Sequence, residues 1–274
     1  MKTFNYEQLE LRYFDNDIDS NDVVIFIHGN SHSHRTFRYQ LEDKRFQHLR
    51  ILALDLPGHG LSSRSTKYNM ALFVGMLEAF VKSLNLTNYV LVGHSLGGHI
   101  ATQSLTCLNP KGILIFGTPP LRNPPDMSAF RDHPATSYLF KNELSDAELD
   151  LLMKSFYNDY QITNADIAEV RQTDSLFREK FAQSVGELKF ADEIELLRHY
   201  DGHKAVLHAT QDKFINKEYI EKNVGPVVEI ESSHNMHIEN AEDFNQALLS
   251  FIQTSFNLPV PSFRTGHNEV IVKQ

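Results

Sequence analysis

Eleven residues constrain this chain more than any other stretch: Val90-Leu91-Val92-Gly93-His94-Ser95-Leu96-Gly97-Gly98-His99-Ile100. Apolar, β-branched residues run into a Gly-x-Ser-x-Gly core, and a helix-like run leaves it. This is the pattern of a strand that turns sharply into a helix with the serine at the corner. Such a corner strains its backbone, so Gly93 and Gly97 stand where any Cβ would collide with the turn. The corner pushes Ser95 Oγ into a cleft and aims the backbone N–H of Leu96, at a helix N-terminus, toward the same cleft. Five residues alone are only moderately specific; the strand before them and the helix start after them sharpen the reading.

The rest of the chain is consistent with that corner. Residues 6–14 alternate loosely and meet Asp15-Asn16-Asp17, which reads as an opening antiparallel strand or hairpin. Val23–Ile27 and residues 51–54 are continuous apolar runs of strand length, as expected of strands covered on both faces. The first ends in His28-Gly29-Asn30-Ser31, the second in Asp55-Leu56-Pro57-Gly58-His59-Gly60. Residues 70–84 carry apolar side chains at helical spacing, and 113–116 is the next strand. From Pro119 to about Val185 no strand signal appears. Ser145 with Glu148 forms a capping box, the 162–167 stretch repeats the logic, and 176–181 is a third helical piece. Strands at 205–209 and 227–230 follow, with a short helix at 216–222 between them. An amphipathic helix marked by Phe244, Ala247, Leu248, Phe251 and Ile252 closes the pattern. The expected fold is α/β, a mostly parallel sheet flanked by helices, with core segments 1–118 and 186–256. Residues 119–185 form a helical cap inserted between two late strands, and 257–274 is a tail without an assigned place, either an edge strand or a disordered end.

Composition narrows the partners. The chain has 274 residues, is 41% hydrophobic and carries a net charge of −9. That is ample for one large buried core, and no basic cluster points to nucleic acid or an anionic membrane. Residues 1–7 hold no apolar signal segment, no run is long enough to span a bilayer, and the single cysteine forms no intrachain disulfide, so a cytoplasmic setting is the expectation. Cys107 is expected to be a small core residue after the corner helix. Histidines are numerous, but His32-Ser33-His34 is followed by Thr36 and Phe37, where a metallo-lactonase pattern would need aspartate and histidine. No metal or other cofactor is implied.

Every polar motif falls at the carboxyl end of a predicted strand, where parallel sheets bind ligands. A serine nucleophile needs a base and a group to orient that base, in the chain order serine, acid, histidine. Ser95, Asp212 and His234 satisfy that order, each after a strand. His237, three residues on, is the rival base, with packing or a loop hydrogen bond as its other role. Asp212 could equally be a turn residue. Asp55 precedes the serine and reads as structural. An oxyanion hole needs two backbone N–H donors: Leu96 offers one and Asn30 the other, unless Asn30 only caps its turn. The large apolar groups of the cap are Phe130, Tyr138, Leu139, Phe140, Leu152, Phe156, Tyr157 and Tyr160. Part of them must be ordinary core, and the rest can line a pocket over Ser95. Phe37, Tyr138, Leu152, Phe156 and Tyr157 are the candidates for substrate contact.

His28-Gly29-Asn30, Asp55 through Gly60, Gly93 through Gly98, Asp212 and His234 together resemble the α/β-hydrolase superfamily, over residues 4–254. Within it the chain is most similar to the AidH-type N-acyl-homoserine-lactone lactonases, on His28-Gly29-Asn30-Ser31, Ser95 through Ile100, Gly117-Thr118-Pro119-Pro120 and the 177–181 stretch. The resemblance implies a cofactor-free serine hydrolase acting on a small-molecule ester or lactone. That family type has an acidic residue just after the Asp212 position. Lys213 stands there in this chain, which leaves Asp212 alone as orienting acid. A cap tyrosine of that type corresponds most nearly to Leu152, with Phe156 and Tyr157 one turn later.

Overall fold

In the computed structural model, residues 1–259 are described. The expectations for the tail lie outside them from residue 260 onward. Eight strands form one sheet: β1 (Lys2–Tyr6), β2 (Leu9–Asp15), β3 (Val23–Ile27), β4 (Arg50–Leu54), β5 (Tyr89–His94), β6 (Gly112–Phe116), β7 (His203–Ala209) and β8 (Val228–Ile230). Their spatial order is β1-β2-β4-β3-β5-β6-β7-β8. The first two strands form a hairpin and join β4 antiparallel; every pairing from β4 to β8 is parallel. The opening hairpin turns at Glu7, whose φ of 54° closes the short link between the strands.

The helices are α1 (Arg38–Leu41), α2 (Met70–Ser83), α3 (Leu96–Gln103), α4 (Asp146–Phe156), α5 (Asn164–Gln172), α6 (Ser175–Gly186), α7 (Glu193–His199), α8 (Lys217–Asn223), α9 (Met236–Glu239) and α10 (Ala241–Phe256). Side chains alternate along each central strand between two cores, as a pleated sheet buried on both faces requires. Ile25, Ile27, Leu91 and Ile113 face α2, α3, α7 and the 119–185 helices. Val24, Phe26, Val92 and Leu114 face Phe244, Leu248, Phe251 and Ile252 of α10.

The helical segment between β6 and β7 forms where its caps are written. Ser145 Oγ accepts from Glu148 N at 3.3 Å, and Glu148 Oε2 accepts from Ser145 N at 2.9 Å. Thr163 and Asp166 make the same reciprocal pair at the start of α5. The α7 helix lies outside the expected elements although its signal is present: Asp192 caps Glu195 N at 3.0 Å, and Ile194 and Leu197 are its buried face. Cys107 corrects its expectation. It stands past the end of α3 and is exposed, because the helix gives way to a turn at Ser104–Thr106 before the chain reaches it.

Candidate active site

The corner at Ser95 is strained as its sequence requires. Ser95 has φ 51° and ψ −116°, a left-handed φ that a side chain rarely adopts and that functional turns retain. Ser95 N donates to Phe116 O at 2.9 Å, and Ser95 O accepts from Gly98 N and from Thr118 Oγ1, both at 2.9 Å. The corner is therefore clamped from β6. A Cβ on Gly97 would meet the Ile27 carbonyl, and one on Gly93 would meet the Gly97 backbone. These two contacts, rather than flexibility, explain both glycines.

His234 stands in the loop after β8. Its Nδ1–H donates to Asp212 Oδ2 at 2.8 Å, and both side chains are buried. Asp212 Oδ1 accepts from Phe214 N at 2.8 Å and from Ile215 N at 3.2 Å. Burial by itself would push the Asp212 carboxyl up. The adjacent His234 ring and the Phe214 N–H more than reverse this and hold it below the usual carboxylate range. The carboxylate thus fixes the tautomer and leaves Nε2 of His234 as the free edge. The ring is stacked on Phe156, centroids 5.4 Å apart at 25°, and meets the edge of Phe214 at 5.5 Å. Its loop is tied to the helical segment: Ser233 Oγ donates to Phe156 O at 2.7 Å, and Glu239 accepts from Ser233 N, Asn158 N and Asp159 N.

His237 faces elsewhere. It is wholly buried among Phe37, Phe116 and Phe244, and its Nε2 pairs with Thr36 Oγ1 at 2.8 Å. Asp55 is equally buried and shapes its own loop, accepting from His34 N at 2.7 Å and Leu61 N at 2.9 Å.

Two cavities of about 340 Å³ each open over the carboxyl ends of β3 and β5. The first is lined by Ser95, His234, Asn30, Phe156, Phe214 and Ile215, with His32, His94 and Arg131 among its polar groups. The second runs from Ser95, Asn30 and Leu96 between Met70, Met127, Leu121 and Phe181. Asn30, Ser95, His99, Met127, Phe130, Leu139 and Phe140 line both, so the two are lobes of one cleft meeting at Ser95. Asn30 is pinned at the junction: its Nδ2 donates to Leu139 O at 2.9 Å and its Oδ1 accepts from Ser31 Oγ at 2.7 Å. Leu96 is the first residue of α3, whose opening N–H groups have no intrahelical acceptor.

Of the expected substrate-contact residues, Phe156 lines the cleft. Phe37 does not. It is fully buried on the α10 face of the sheet, 4.8 Å from Phe26, because its turn points it inward between β3 and His237. Leu152 and Tyr157 are buried in the packing of the helical segment, Tyr157 against Tyr160 at 4.7 Å, and neither lines the cleft. Tyr138 is half-buried against the same core and does not line it either; its neighbours Leu139 and Phe140 do. His99, Met127, Phe214 and Ile215 line the cleft without having been singled out. For Phe214 and Ile215 the signal was adjacency to Asp212. For Met127 none was available, since its loop is brought over the site by tertiary packing. Among the described residues no group of three His, Cys, Asp or Glu side chains is arranged to hold a metal, and no helix is long and apolar enough to cross a membrane.

A hydroxyl on a clamped turn, an imidazole of fixed tautomer and an adjoining helix N-terminus can together carry acyl transfer. The chain is similar in fold over most of its length to solved hydrolases. One structure of the N-acyl homoserine lactonase AidH, complexed with N-hexanoyl homoserine lactone, superposes with a TM-score of 0.88, at 21% identity, over 94% of this chain and 99% of that one. The esterase EaEST from Exiguobacterium antarcticum gives a TM-score of 0.73 at 19% identity over 89% of this chain and 96% of that one. At such identities the likeness is one of fold. Among curated proteins, the AB hydrolase superfamily protein YisY of Bacillus subtilis is 33% identical over 91 residues, 33% of this chain and 34% of YisY. The chain spans about a third or less of the length of the first such relatives it matches. The model of the alpha/beta hydrolase family matches residues 24–247, and with that match the chain belongs to the alpha/beta hydrolase family.

Proposed function

We propose that this protein is a serine hydrolase of carboxylic esters or lactones, with N-acyl-homoserine lactones among the first candidates. The observation that carries the reading is the 2.8 Å His234–Asp212 pair opening on the same cavity as the strained Ser95. Ser95 Oγ attacks the scissile carbonyl while His234 Nε2 takes its proton. The oxyanion forms against the N–H groups of Leu96 and Asn30. As it collapses, His234 gives the proton to the leaving oxygen, and the acyl group stays on Ser95. Water, deprotonated by the same imidazole, then attacks the acyl-enzyme and releases the acid with Ser95 restored. Asp212 holds the imidazole in its working tautomer, and residues 119–185 act as the cap that roofs the cleft.

The lobe beside Leu96 is the more apolar and suits an acyl chain; the lobe beside His234 suits the leaving oxygen, which must reach Nε2. Each buried methylene contributes about 0.8 kcal/mol. kcat/KM therefore rises with acyl length over short chains and levels off or falls when the lobe is full. The test is a panel of lactones and open-chain acyl esters of graded length, read by proton release, with Ser95→Ala as control. That variant loses on the order of 10⁴-fold or more. Brisk ester hydrolysis without ring opening removes the lactonase reading. A Ser95→Ala enzyme with a tenth of the wild-type rate removes the serine mechanism.

A further inference from the structure

The cleft contains a second imidazole–carboxylate pair. His99 lies one turn after Ser95 on α3, its N–H bonded back to Ser95 O at 3.3 Å. Residues four apart share a helix face, so His99 stands on the same side of α3 as the corner at Ser95. It lines both lobes of the cleft, which places it at their junction beside the reacting serine. Its other edge is fixed: Nδ1–H donates at 2.8 Å to Glu193 Oε2, a carboxylate with 1% of its surface exposed. Glu193 is itself held by Leu121 N at 2.8 Å and Gln103 Nε2 at 3.1 Å, and Gln103 is locked by both backbone groups of Ala191. With its Nδ1 edge committed to Glu193, the ring has Nε2 left as the edge that can meet a group in the cleft.

The acyl-transfer steps give this edge no task, since His234 moves the protons. We propose that His99, positioned by Glu193, is a specificity residue. It accepts a hydrogen bond from an N–H or O–H carried on the carbon next to the scissile carbonyl, and so selects α-amido or α-hydroxy esters and lactones over unsubstituted ones. The inference rests on the hydrolase reading and narrows its substrate class.

The test compares two γ-butyrolactones: one bearing an α-hexanoylamino group, the other the same chain with the amide N–H replaced by CH2. Ring opening is followed for the wild type and for His99→Phe, which keeps a ring but offers no acceptor. The expected wild-type preference for the N–H compound is about tenfold in kcat/KM, the size of one neutral hydrogen bond, and it falls to near one in His99→Phe. His99→Leu gives the same readout if the phenylalanine variant does not fold. A purely structural role would lower both rates together and leave their ratio untouched. An unchanged ratio in the variants, or no preference in the wild type, overturns the assignment. No ring opening of either compound, with acyl esters also inert, overturns the hydrolase reading and the assignment with it.

Discussion

His234 and His237 stand on one short stretch of chain, yet only one faces a carboxylate and the cleft. His234 donates to Asp212, whereas His237 pairs with the Thr36 hydroxyl inside an aromatic box. The two should respond differently to truncation. His234→Ala is expected to cost on the order of 10⁴-fold in kcat. Asp212→Asn should cost on the order of 10³- to 10⁴-fold, because the imidazole then takes the wrong tautomer. His237→Ala should cost little rate but about 1–3 kcal/mol of stability, since it opens a cavity and orphans Thr36 Oγ1. Steady-state rates and denaturant midpoints of the three variants decide the matter; equal rate losses for the two histidines would refute the base assignment. Glu193 adds a further point at this scale: one buried carboxylate organises an imidazole, a glutamine and a backbone N–H around α3.

Among the elements, the helical segment between β6 and β7 does more than line the cleft. Arg178 of α6 is nearly buried and reaches across to Ser31 Oγ at 2.8 and 3.2 Å, with the Asn142 and Val170 carbonyls as further acceptors. Burial alone lowers its guanidinium to about 10. Ser31 follows Asn30 and has a φ of 65°. The loop proposed to offer the Asn30 N–H is therefore held by α6 through Ser31 and by Leu139 O through Asn30 Nδ2. Arg178→Met should loosen it. The expected result is a ten- to hundred-fold fall in kcat, the scale of a displacement near 1 Å. The stability change should stay within about 2 kcal/mol, because a desolvated charge leaves together with its hydrogen bonds. An unchanged kcat would mean that the loop keeps its shape without α6.

The whole molecule carries its histidines in an unusual way. His28, His59, His94 and His237 are buried and held neutral: burial lowers His28 to about 4 and the other three well below their ordinary value. In the unfolded chain each titrates near 6.5. The unfolded state therefore binds more protons below that pH, so this contribution is complete above about pH 6.5 and is lost as pH falls, the His28 share running out near 4. Unfolding near pH 5.5 should take up about three to four protons from these residues. Denaturant unfolding between pH 7.5 and 5 should show stability falling steeply with acid, and a flat profile would refute it.

The layers and the corner are legible in short stretches of chain. Apolar runs of strand length, helical spacing at 70–84, the Ser145–Glu148 and Thr163–Asp166 capping boxes and the Gly-x-Ser-x-Gly corner are local patterns, and local sterics and hydrogen bonding enforce them wherever the chain goes. The chain order of Ser95, Asp212 and His234 was readable for the same reason, since each follows a strand end. Which side chains face the cleft is a matter of packing between distant segments. Phe37, Leu152 and Tyr157 are as apolar as Phe130, Phe140 and Phe156, and nothing in their identity separates core from lining. That division depends on where the helical segment settles over the sheet, which is set by contacts far apart in sequence, such as Arg178 with Ser31 and Glu239 with Asn158. The His99–Glu193 pair was hidden for the same reason. Its partners lie 94 residues apart, and only the docking of α7 against α3 brings the carboxylate to the ring.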